Sequence, residues 1–330
     1  MPTLNFGIIS TANIAKKALI PAIKRAHNAE VLAIASRGPQ VHEVAQNYKI
    51  PRAYESYEEL LADPDIQAVY IPLPNHLHKE WVIKAAQHGK HVLYEKPAAL
   101  NAQETEEMLN IAKQHNVTTM EAFMYQFHAQ HDRVREIIAS GEIGDVKLMR
   151  AAFSFHMSNP GENIRLDAAK GGGSLYDVGC YCIHAARNIL QAEPTEVTVQ
   201  ANIHPTNNVD MSAYGMMRMS NGVQVMFDSS FESGLRQEYE IIGNKGSIRV
   251  PRAYRPDAYG HDGIVIVTTG NVTREETITS DQYKNQVEHF ANSVLTQTQP
   301  SYTDENTIQN MRVIDAFYES IKQGKAIQLG

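Results

Sequence analysis

The stretch Asn5-Phe6-Gly7-Ile8-Ile9-Ser10-Thr11-Ala12-Asn13-Ile14-Ala15 decides the fold of the N-terminal half of the chain. An apolar run of strand length passes directly into small and polar residues, and a helical spacing of apolar residues follows. The same switch recurs up to about residue 120 and is typical of parallel βα units, whose sheet is covered on both faces. The predicted strands cover residues 5–9, 31–35, 68–71, 91–94 and 117–120. The predicted helices cover residues 14–25, 41–48, 76–87 and 102–115.

The pattern changes after about residue 123, where apolar and polar residues alternate as they do in strands with one solvated face. Further strands are predicted in an open antiparallel meander, at residues 147–155, 196–203, 211–219, 223–231 and 247–250. Asn221-Gly222 predicts a tight hairpin turn, and the glycines within 243–246 allow a second reversal. Helices are predicted at 171–190, after a glycine run, and at 307–322. We therefore expect two domains, residues 1–122 and 123–330, as the chain length also suggests.

The composition is that of an ordinary globular protein, with 43% hydrophobic and 20% charged residues among 330. A net charge of −7 without blocks of Lys or Arg argues against nucleic acid or an anionic membrane as a partner. The start of the chain has no basic segment leading into an apolar run, and no stretch approaches the ~18 apolar residues of a membrane helix. These features predict a cytoplasmic protein. Cys180 and Cys182 stand two apart on a predicted helix and face away from each other, so both are expected to be reduced.

The loop after the first strand has the position of a nucleotide-binding turn. Ser10, Ala12 and Ala15 stand where the motif G-x-G-x-x-G has glycines, which permit a tight turn, close backbone approach to pyrophosphate and helix packing. Serine and alanine are the smallest substitutes for glycine, and amides at a helix N-terminus bind a pyrophosphate. The predicted cofactor loop consists of Ser10, Thr11, Ala12, Asn13 and Ile14.

The end of the second strand indicates which dinucleotide is bound. An acidic residue there would bind the adenosine 2′-hydroxyl of NAD, whereas an arginine favours the 2′-phosphate of NADP. The chain has Ser36-Arg37 and no carboxylate between residues 31 and 42, so NADP is predicted in preference to NAD. The alternative is a solvated loop arginine.

The loop after the third predicted strand is a further part of the expected cofactor site, because ligands of open α/β sheets bind at the carboxyl ends of strands. Its residues Pro72, Leu73 and Asn75 are assigned to the cofactor. For Asn75 two roles are open, a cofactor contact or a cap on the following helix.

Two segments far apart in sequence carry acid–base chemistry. Glu95-Lys96-Pro97 follows the fourth predicted strand, so Glu95 and Lys96 are expected in the cofactor crevice, with Pro97 holding Lys96 extended. Asp177 and Tyr181 stand four residues apart on a predicted helix and therefore project from one face about one turn apart. His184 shares roughly this face and is either a substrate contact or a satisfied helix residue.

Glu95-Lys96-Pro97 after a βα nucleotide domain, followed by Gly-Gly-Gly-Ser-Leu-Tyr-Asp-Val-Gly-Cys-Tyr at 171–181, resembles the Gfo/Idh/MocA oxidoreductase family over essentially the whole chain. The position four after the aspartate is histidine in many members and Tyr181 here, which resembles the branch containing glucose-fructose oxidoreductase, NADP-dependent D-xylose dehydrogenases and dimeric dihydrodiol dehydrogenase. The nucleotide loop departs from the family pattern in lacking its glycines.

This resemblance implies an α/β protein with a Rossmann domain, a doubly wound parallel sheet, followed by an α/β domain built on a large open, mainly antiparallel sheet. It implies Lys96, Asp177 and Tyr181 as catalytic residues, and Arg165 beside the substrate together with Asp177. It also implies a homodimer or homotetramer formed through the C-terminal sheet.

These residues together predict an NAD(P)-dependent dehydrogenase acting on CH–OH donors, with a sugar, polyol or related hydroxyl compound as substrate. Tyr181 is expected to remove the hydroxyl proton, and because a free tyrosine titrates near 10, Lys96 is expected to favour its phenolate. Asp177 is expected to orient the substrate and Lys96. Two alternatives are open: a non-catalytic NADP- or sugar-binding regulatory protein, and a reductase of dihydrodiol or dicarbonyl substrates. No metal site is expected, because His76 and His78 point apart at the start of a predicted helix.

Overall fold

The computed structural model describes residues 2–158 and 163–330, and it shows two compact units. The first unit comprises the chain up to Met124 together with Tyr283–Met311, and the second comprises Tyr125–Gln282 together with Arg312–Gly330. The late segment Tyr283–Met311 therefore belongs to the N-terminal unit. A single boundary between residues 122 and 123 assigns this segment to the C-terminal domain instead.

The first unit contains a six-stranded sheet in which all neighbouring strands run parallel. Its strands are β1 (Leu4–Ile9), β2 (Ala29–Ala35), β3 (Arg52–Tyr54), β4 (Ala68–Ile71), β5 (His91–Tyr94) and β6 (Thr119–Glu121). Their order in the sheet is β3-β2-β1-β4-β5-β6. The direction of winding reverses between β1 and β4, and the loops at the carboxyl ends beside this point form the ligand crevice of doubly wound sheets. The predicted Rossmann fold is confirmed.

Hydrogen bonds from capping side chains explain where some of the helices begin. Their bounds are α1 (Ile20–Arg25), α2 (Gln40–Asn47), α3 (Tyr57–Ala62), α4 (Asn75–Gln87), α5 (Ala102–Gln114), α6 (Ala129–Ala139), α7 (Cys180–Leu190), α8 (Gln282–Thr296) and α9 (Asp304–Gln323). The side chains of Ser56 and Asn101 accept hydrogen bonds from the amides of Glu59 and Glu104, which fixes the starts of α3 and α5. Short π-helical turns, Ala15–Leu19 and Leu175–Gly179, precede α1 and α7.

The second unit contains a nine-stranded sheet that is mainly antiparallel, as expected. Its strands are β7 (Val146–Ser154), β8 (Pro194–Ile203), β9 (Asp210–Met219), β10 (Gln224–Ser230), β11 (Arg236–Gly243), β12 (Gly246–Val250), β13 (Asp262–Thr269), β14 (Val272–Thr279) and β15 (Ile327–Gln328). Their order is β14-β13-β12-β11-β7-β10-β9-β8-β15. The predicted simple meander is wrong at β7, which lies between β10 and β11 and runs parallel to β10. Alternation of side chains has the same period in both kinds of pairing, so the sequence pattern could not distinguish them.

The two faces of this second sheet differ in solvent exposure. Phe227 of β10 packs edge-on against Phe317 of α9, with ring centroids 5.1 Å apart, and both are buried. On the opposite face, Met216 and Met226 are directly paired across β9 and β10 and are 44% exposed, beside Tyr214 at 50%. We refer to Tyr214, Met216 and Met226 as the outer sheet patch.

Within the described ranges 2–158 and 163–330, no helix has both the length and the apolar character needed to cross a membrane.

Candidate cofactor and catalytic sites

The loop after β1 has a residue in a backbone conformation that favours glycine, although the glycines of the nucleotide-binding motif are replaced. Ser10 has a φ of 108°, in the region that favours glycine, and it occupies the position of the first glycine of the motif. Its hydroxyl Oγ accepts a hydrogen bond from the Ala12 amide at 3.1 Å, which supports this conformation. Ala15, at the third glycine position, is fully buried at the start of the following π-helical turn. These features are compatible with the replacement of the motif's glycines, and the binding of a dinucleotide by this turn remains a prediction.

The end of β2 places a cation beside this loop. The Ser36 hydroxyl lies 3.4 Å from the Thr11 hydroxyl, which links the two loops at the carboxyl edge of the sheet. Arg37 is exposed, and its guanidinium carbon lies 5.8 Å from the centre of the Tyr57 ring, a cation–π distance. The charged head of Arg37 is thereby held at the surface next to the end of β2.

Asn75 lies at the start of the helix that follows β4. Pro74 occupies the N-cap position of α4 and forms no side-chain cap bond, and Asn75 is the first residue of the helix itself. Both roles considered for the Asn75 side chain, and the cofactor contacts of Pro72 and Leu73, remain predictions.

The Glu95-Lys96 segment is held by the neighbouring strand β4 within the first unit. The Glu95 amide donates to the Ile71 carbonyl at 3.1 Å, and the Tyr70 hydroxyl donates to the Glu95 carboxylate at 2.5 Å. Lys96 is half-buried directly after the end of β5, and the Lys96–Pro97 peptide bond is cis. The backbone of β4 therefore fixes where the lysine loop leaves the sheet.

His78 connects the loops that follow β4 and β5. It is fully buried, with Nε2 2.7 Å from the Leu73 carbonyl oxygen and Nδ1 3.0 Å from that of Pro97. Burial lowers the pKa of His78 to about 4, so its imidazole is neutral near pH 7 and donates its one N–H to one of the two carbonyls. In the sequence, His78 stood out only as a candidate metal ligand. The feature of the sequence that could have indicated its buried position is that His78 lies about one turn into a helix that follows the end of a strand.

Glu121 is a second buried group that the sequence did not reveal. It ends β6, is fully buried, and accepts a hydrogen bond from the Tyr302 hydroxyl at 3.1 Å. Burial raises the pKa of Glu121 to about 8, although the nearby charge of Lys96 acts in the opposite direction. Tyr302, the hydrogen-bond partner of Glu121, lies 181 residues further along the chain, so no local sequence pattern could have indicated this environment.

The segment that carries Asp177 and Tyr181 lies in the second unit and begins with glycines in unusual conformations. Gly171 and Gly173 have φ values of +76° and +120°, which other residues rarely adopt. Asp177 lies in the π-helical turn Leu175–Gly179, and Tyr181 lies in the first turn of α7. Such π-helical turns are frequent at functional sites, whereas the residue spacing predicted an ordinary helix here.

Arg165 and Asp177 are brought together as an ion pair. Arg165 Nε donates to Asp177 Oδ2 at 2.6 Å, and the negative charge of Asp177 raises the pKa of Arg165. The guanidinium carbon of Arg165 also lies 5.7 Å from the centre of the Phe155 ring. The Asp177 side chain is 18% exposed and that of Arg165 is 39% exposed, so this charged pair is accessible to a small polar ligand.

Tyr181 is fixed by aromatic neighbours. Its ring centroid lies 5.7 Å from that of Tyr125, 5.2 Å from that of Phe153 and 5.5 Å from that of Tyr254. All four residues are buried, Tyr181 with 6% of its surface exposed. Aromatic contacts on several sides leave the ring little freedom, which preorganises the position of its hydroxyl.

His184 lies in the core of the second unit. It is 1% exposed, and its Nδ1 is 2.5 Å from the Tyr125 hydroxyl. Burial lowers the pKa of His184 well below its ordinary value. These features favour the structural alternative for His184 over a direct substrate contact.

Cys180 and Cys182 are both buried, and neither forms a disulfide within the described part of the chain. No group of three or more His, Cys, Asp or Glu side chains in residues 2–158 and 163–330 is arranged to hold a metal ion.

Comparison with protein families finds two adjoining matches that cover most of the chain. Residues 4–123 match a family described as "Oxidoreductase family, NAD-binding Rossmann fold", and residues 131–249 match the GFO/IDH/MocA C-terminal domain. The first match covers the parallel sheet, and the second covers the segment with Arg165, Asp177 and Tyr181.

Individual relatives are similar over long stretches. The chain is 39% identical over 325 residues to D-xylose 1-dehydrogenase (NADP(+)) 2 of Haloferax volcanii, a match covering 98% of this chain and 99% of the relative. It is 34% identical over 247 residues to trans-1,2-dihydrobenzene-1,2-diol dehydrogenase of Xenopus tropicalis, covering 74% and 73% of the two chains. A solved structure of a 3-ketoreductase from Actinomadura kijaniata, in complex with NADP and TDP-benzene, superimposes with a TM-score of 0.91 at 29% identity, covering 96% of this chain and 98% of that one.

Proposed function

The chain belongs to the Gfo/Idh/MocA family of oxidoreductases, and from this membership we propose that it is an NADP-dependent dehydrogenase of a sugar, polyol or related hydroxyl compound. The observation that carries the proposal is the arrangement in the second unit, where a rigidly packed Tyr181 follows Asp177 by one helical turn and Asp177 is paired with Arg165. The similarity to the D-xylose dehydrogenase of Haloferax volcanii supports the substrate class.

NADP is the proposed cofactor because a cation rather than a carboxylate stands at the end of β2. Arg37 is exposed there and would bind the 2′-phosphate, with Ser36 as a second donor. The NADP named for the Haloferax volcanii enzyme and bound in the Actinomadura kijaniata structure supports this choice. The turn at Ser10–Ile14 would hold the pyrophosphate through its amides.

Acid–base chemistry in the proposed reaction is assigned to this chain's own side chains. NADP, when bound, supplies the acceptor or donor of the hydride. Tyr181 removes the proton of the substrate hydroxyl as the hydride leaves, and it returns the proton in the reverse direction. A tyrosine titrates near 10, about three units above working pH, so its phenolate needs a cation, and Lys96 is assigned that role.

Arg165 and Asp177 are assigned to binding. Their accessible ion pair presents both donors and acceptors, as recognition of a polyhydroxylated substrate requires. Phe155 beneath the guanidinium adds an apolar surface on which a sugar ring can pack.

The proposal is tested by measuring nicotinamide absorbance changes with a panel of aldoses, inositols, dihydrodiols and dicarbonyls. Tyr181→Phe should reduce kcat by a factor on the order of 10² to 10⁴, because it removes the proton acceptor and keeps the ring in its aromatic contacts. Its dissociation constant for NADPH, from fluorescence titration, should be unchanged. Tyr254→Phe is the matched control, since it removes a buried hydroxyl from the same aromatic cluster and should keep turnover.

The cooperation of Lys96 with Tyr181 is a requirement of the proposal and has its own test. Lys96→Met and Tyr181→Phe should each reduce kcat, and the double variant should be little worse than the single ones, because residues that act as a unit are non-additive. Full turnover in Tyr181→Phe would remove the tyrosine from the mechanism. Tight NADPH binding without turnover on any substrate would favour the regulatory alternative.

A second candidate substrate class is the dihydrodiols and related dicarbonyls. The similarity to the Xenopus tropicalis dihydrodiol dehydrogenase favours it, and so does the pair of rings formed by Phe155 and Phe231, with centroids 5.3 Å apart. The same substrate panel distinguishes this class from the sugars.

A homodimer or homotetramer through the second sheet is also proposed. The outer sheet patch is apolar and exposed, and an exposed apolar surface on a sheet is typical of a subunit interface. A cytoplasmic location, expected from the sequence, remains a prediction.

A further inference from the structure

A buried carboxylate on strand β9 forms hydrogen bonds with the start of the helical segment that carries Asp177 and Tyr181. Asp210 opens β9 and is 1% exposed. Its Oδ2 accepts hydrogen bonds from the Leu175 amide at 2.6 Å and from the Ser174 hydroxyl at 2.8 Å. Its Oδ1 accepts from the Tyr318 hydroxyl at 2.9 Å.

Asp210 supplies the cap that this helical segment lacks. Ser174 occupies the N-cap position, but its side chain forms no cap hydrogen bond and instead donates to Asp210. The first amides of a helix have no partner within the helix, and a negative charge near them is favoured by the helix dipole. The carboxylate of Asp210 meets both needs from a strand 35 residues further along the chain.

The glycines upstream leave room for this contact. A Cβ at Gly173 would lie 2.2 Å from Asp210 Oδ1, and a Cβ at Gly172 would lie 2.6 Å from the Arg165 carbonyl oxygen. The Gly173 amide donates to the same Arg165 carbonyl at 2.9 Å. The glycine run is thus fixed between Asp210 on one side and the Arg165 backbone on the other.

We infer that Asp210 is a positioning residue, which sets the placement of Asp177 and Tyr181 by fixing where their helical segment begins. The inference rests on the proposed function of those two residues. A slip of one residue in the start of the segment would turn both side chains by about 100° around the helix axis. Asp210 itself does not act on the substrate.

The test compares two substitutions of Asp210. Asp210→Ala removes the acceptor of the Leu175 amide and the Ser174 hydroxyl, and it should lower kcat by a factor on the order of 10 to 10², as misplacement of catalytic groups does. The KM for NADPH should stay the same. Asp210→Asn keeps an acceptor oxygen and should restore most of the lost kcat, to within about three-fold of wild type.

Ser320→Ala is the matched control for a purely structural role. Ser320 is equally buried in the second unit, donates to the Lys325 carbonyl and accepts from the Val199 amide, away from the catalytic segment. This variant should lose stability and keep kcat. If Ser320→Ala lowered kcat as much as Asp210→Ala, the loss would reflect general destabilisation and the inference would be overturned.

Amide hydrogen exchange provides a readout that does not depend on turnover. Asp210→Ala should speed exchange in residues 175–181 and leave β11 to β14 unchanged. Unchanged exchange there, or wild-type kcat in a folded Asp210→Ala protein, overturns the inference. If Asp210→Ala does not fold, Ser174→Ala takes its place, because it removes one of the two hydrogen bonds to Asp210 Oδ2. This variant should show the same pattern of faster exchange and lower kcat with a smaller effect. If the pattern is absent, the inference is overturned. If exchange is faster in Asp210→Ala but Tyr181→Phe keeps full activity, Asp210 still fixes the segment, and the proposed function is refuted instead.

Discussion

Replacing Glu121 with glutamine is expected to stabilise the protein progressively as the pH rises. Glu121 is fully buried in the first unit, and burial raises the pKa of its carboxyl from 4.5 to about 8. Between these values the folded state keeps a proton that the unfolded state has lost. The contribution of Glu121 to stability is therefore fully present below about pH 4.5 and is lost as the pH rises through about 8.

The size of the effect follows from the two pKa values. At about 1.4 kcal/mol per pH unit, the interval from 4.5 to about 8 corresponds to at most about 5 kcal/mol of unfolding free energy. Between about pH 5.5 and about pH 8 the loss is about 3 kcal/mol. Glutamine has nearly the same shape, does not titrate and still offers an oxygen to the Tyr302 hydroxyl, so the variant should not show this loss.

Urea unfolding followed by circular dichroism, at constant protein concentration and several pH values, measures the difference between Glu121→Gln and wild type. The difference should grow in favour of the variant by about 3 kcal/mol from about pH 5.5 to about pH 8. Glu107→Gln is the control, because Glu107 lies at the surface of α5 and a hydrogen bond from Lys79 lowers its pKa. A pH-independent difference for Glu121→Gln would refute the reasoning, since Glu121 would then be ionised in both states.

Two further predictions concern the cofactor and the assembly. Arg37→Glu should weaken NADPH binding by about 10- to 100-fold, which corresponds to the loss of one charge-assisted hydrogen bond to a phosphate, and should improve NADH binding relative to NADPH binding. Fluorescence titration measures both affinities. Lys113→Glu, on the surface of α5, is a control with the same change in charge. An unchanged ratio of the two affinities would contradict the role of Arg37. Sedimentation velocity should find wild type as a dimer or tetramer, and the double substitution Met216→Lys and Met226→Lys should shift it towards a monomer, because two cations would have to be buried at the interface. A monomeric wild type at micromolar concentration would exclude the outer sheet patch as a stable interface.

Most of the first sheet could be predicted because strands buried on both faces are continuous apolar runs. Strands β4 and β5 begin and end at the predicted residues. β3 was missed because it has only three residues, Arg52–Tyr54, each half-buried, and so has neither the length nor the apolar character of its neighbours. In the second sheet, β7, β8, β9, β10 and β12 were recognised from alternation, whereas β11, β13, β14 and β15 were not predicted. The parallel pairing of β7 with β10 depends on which strands meet, and alternation does not contain that information.

The candidate site was predictable where a residue's position along the chain decides its place. Ser10, Arg37 and Lys96 each follow a strand, and the carboxyl ends of parallel strands meet at one edge of the sheet. The pair Arg165 and Asp177 was expected near the substrate from family resemblance, whereas their 2.6 Å ion pair became visible only in the structure.

The sequence by itself determined the alternation of strands and helices, the position of the turn at Ser10, the cation at the end of β2 and the helical spacing of Asp177 and Tyr181, because these depend on residues adjacent along the chain. Only the tertiary structure decided the environments of His78, Glu121 and Asp210. Their ionisation and hydrogen bonding depend on burial and on partners distant in sequence, such as Tyr302 for Glu121 and Leu175 for Asp210. Burial changes the free energy of a charge by several kcal/mol, and it arises only when distant segments pack together.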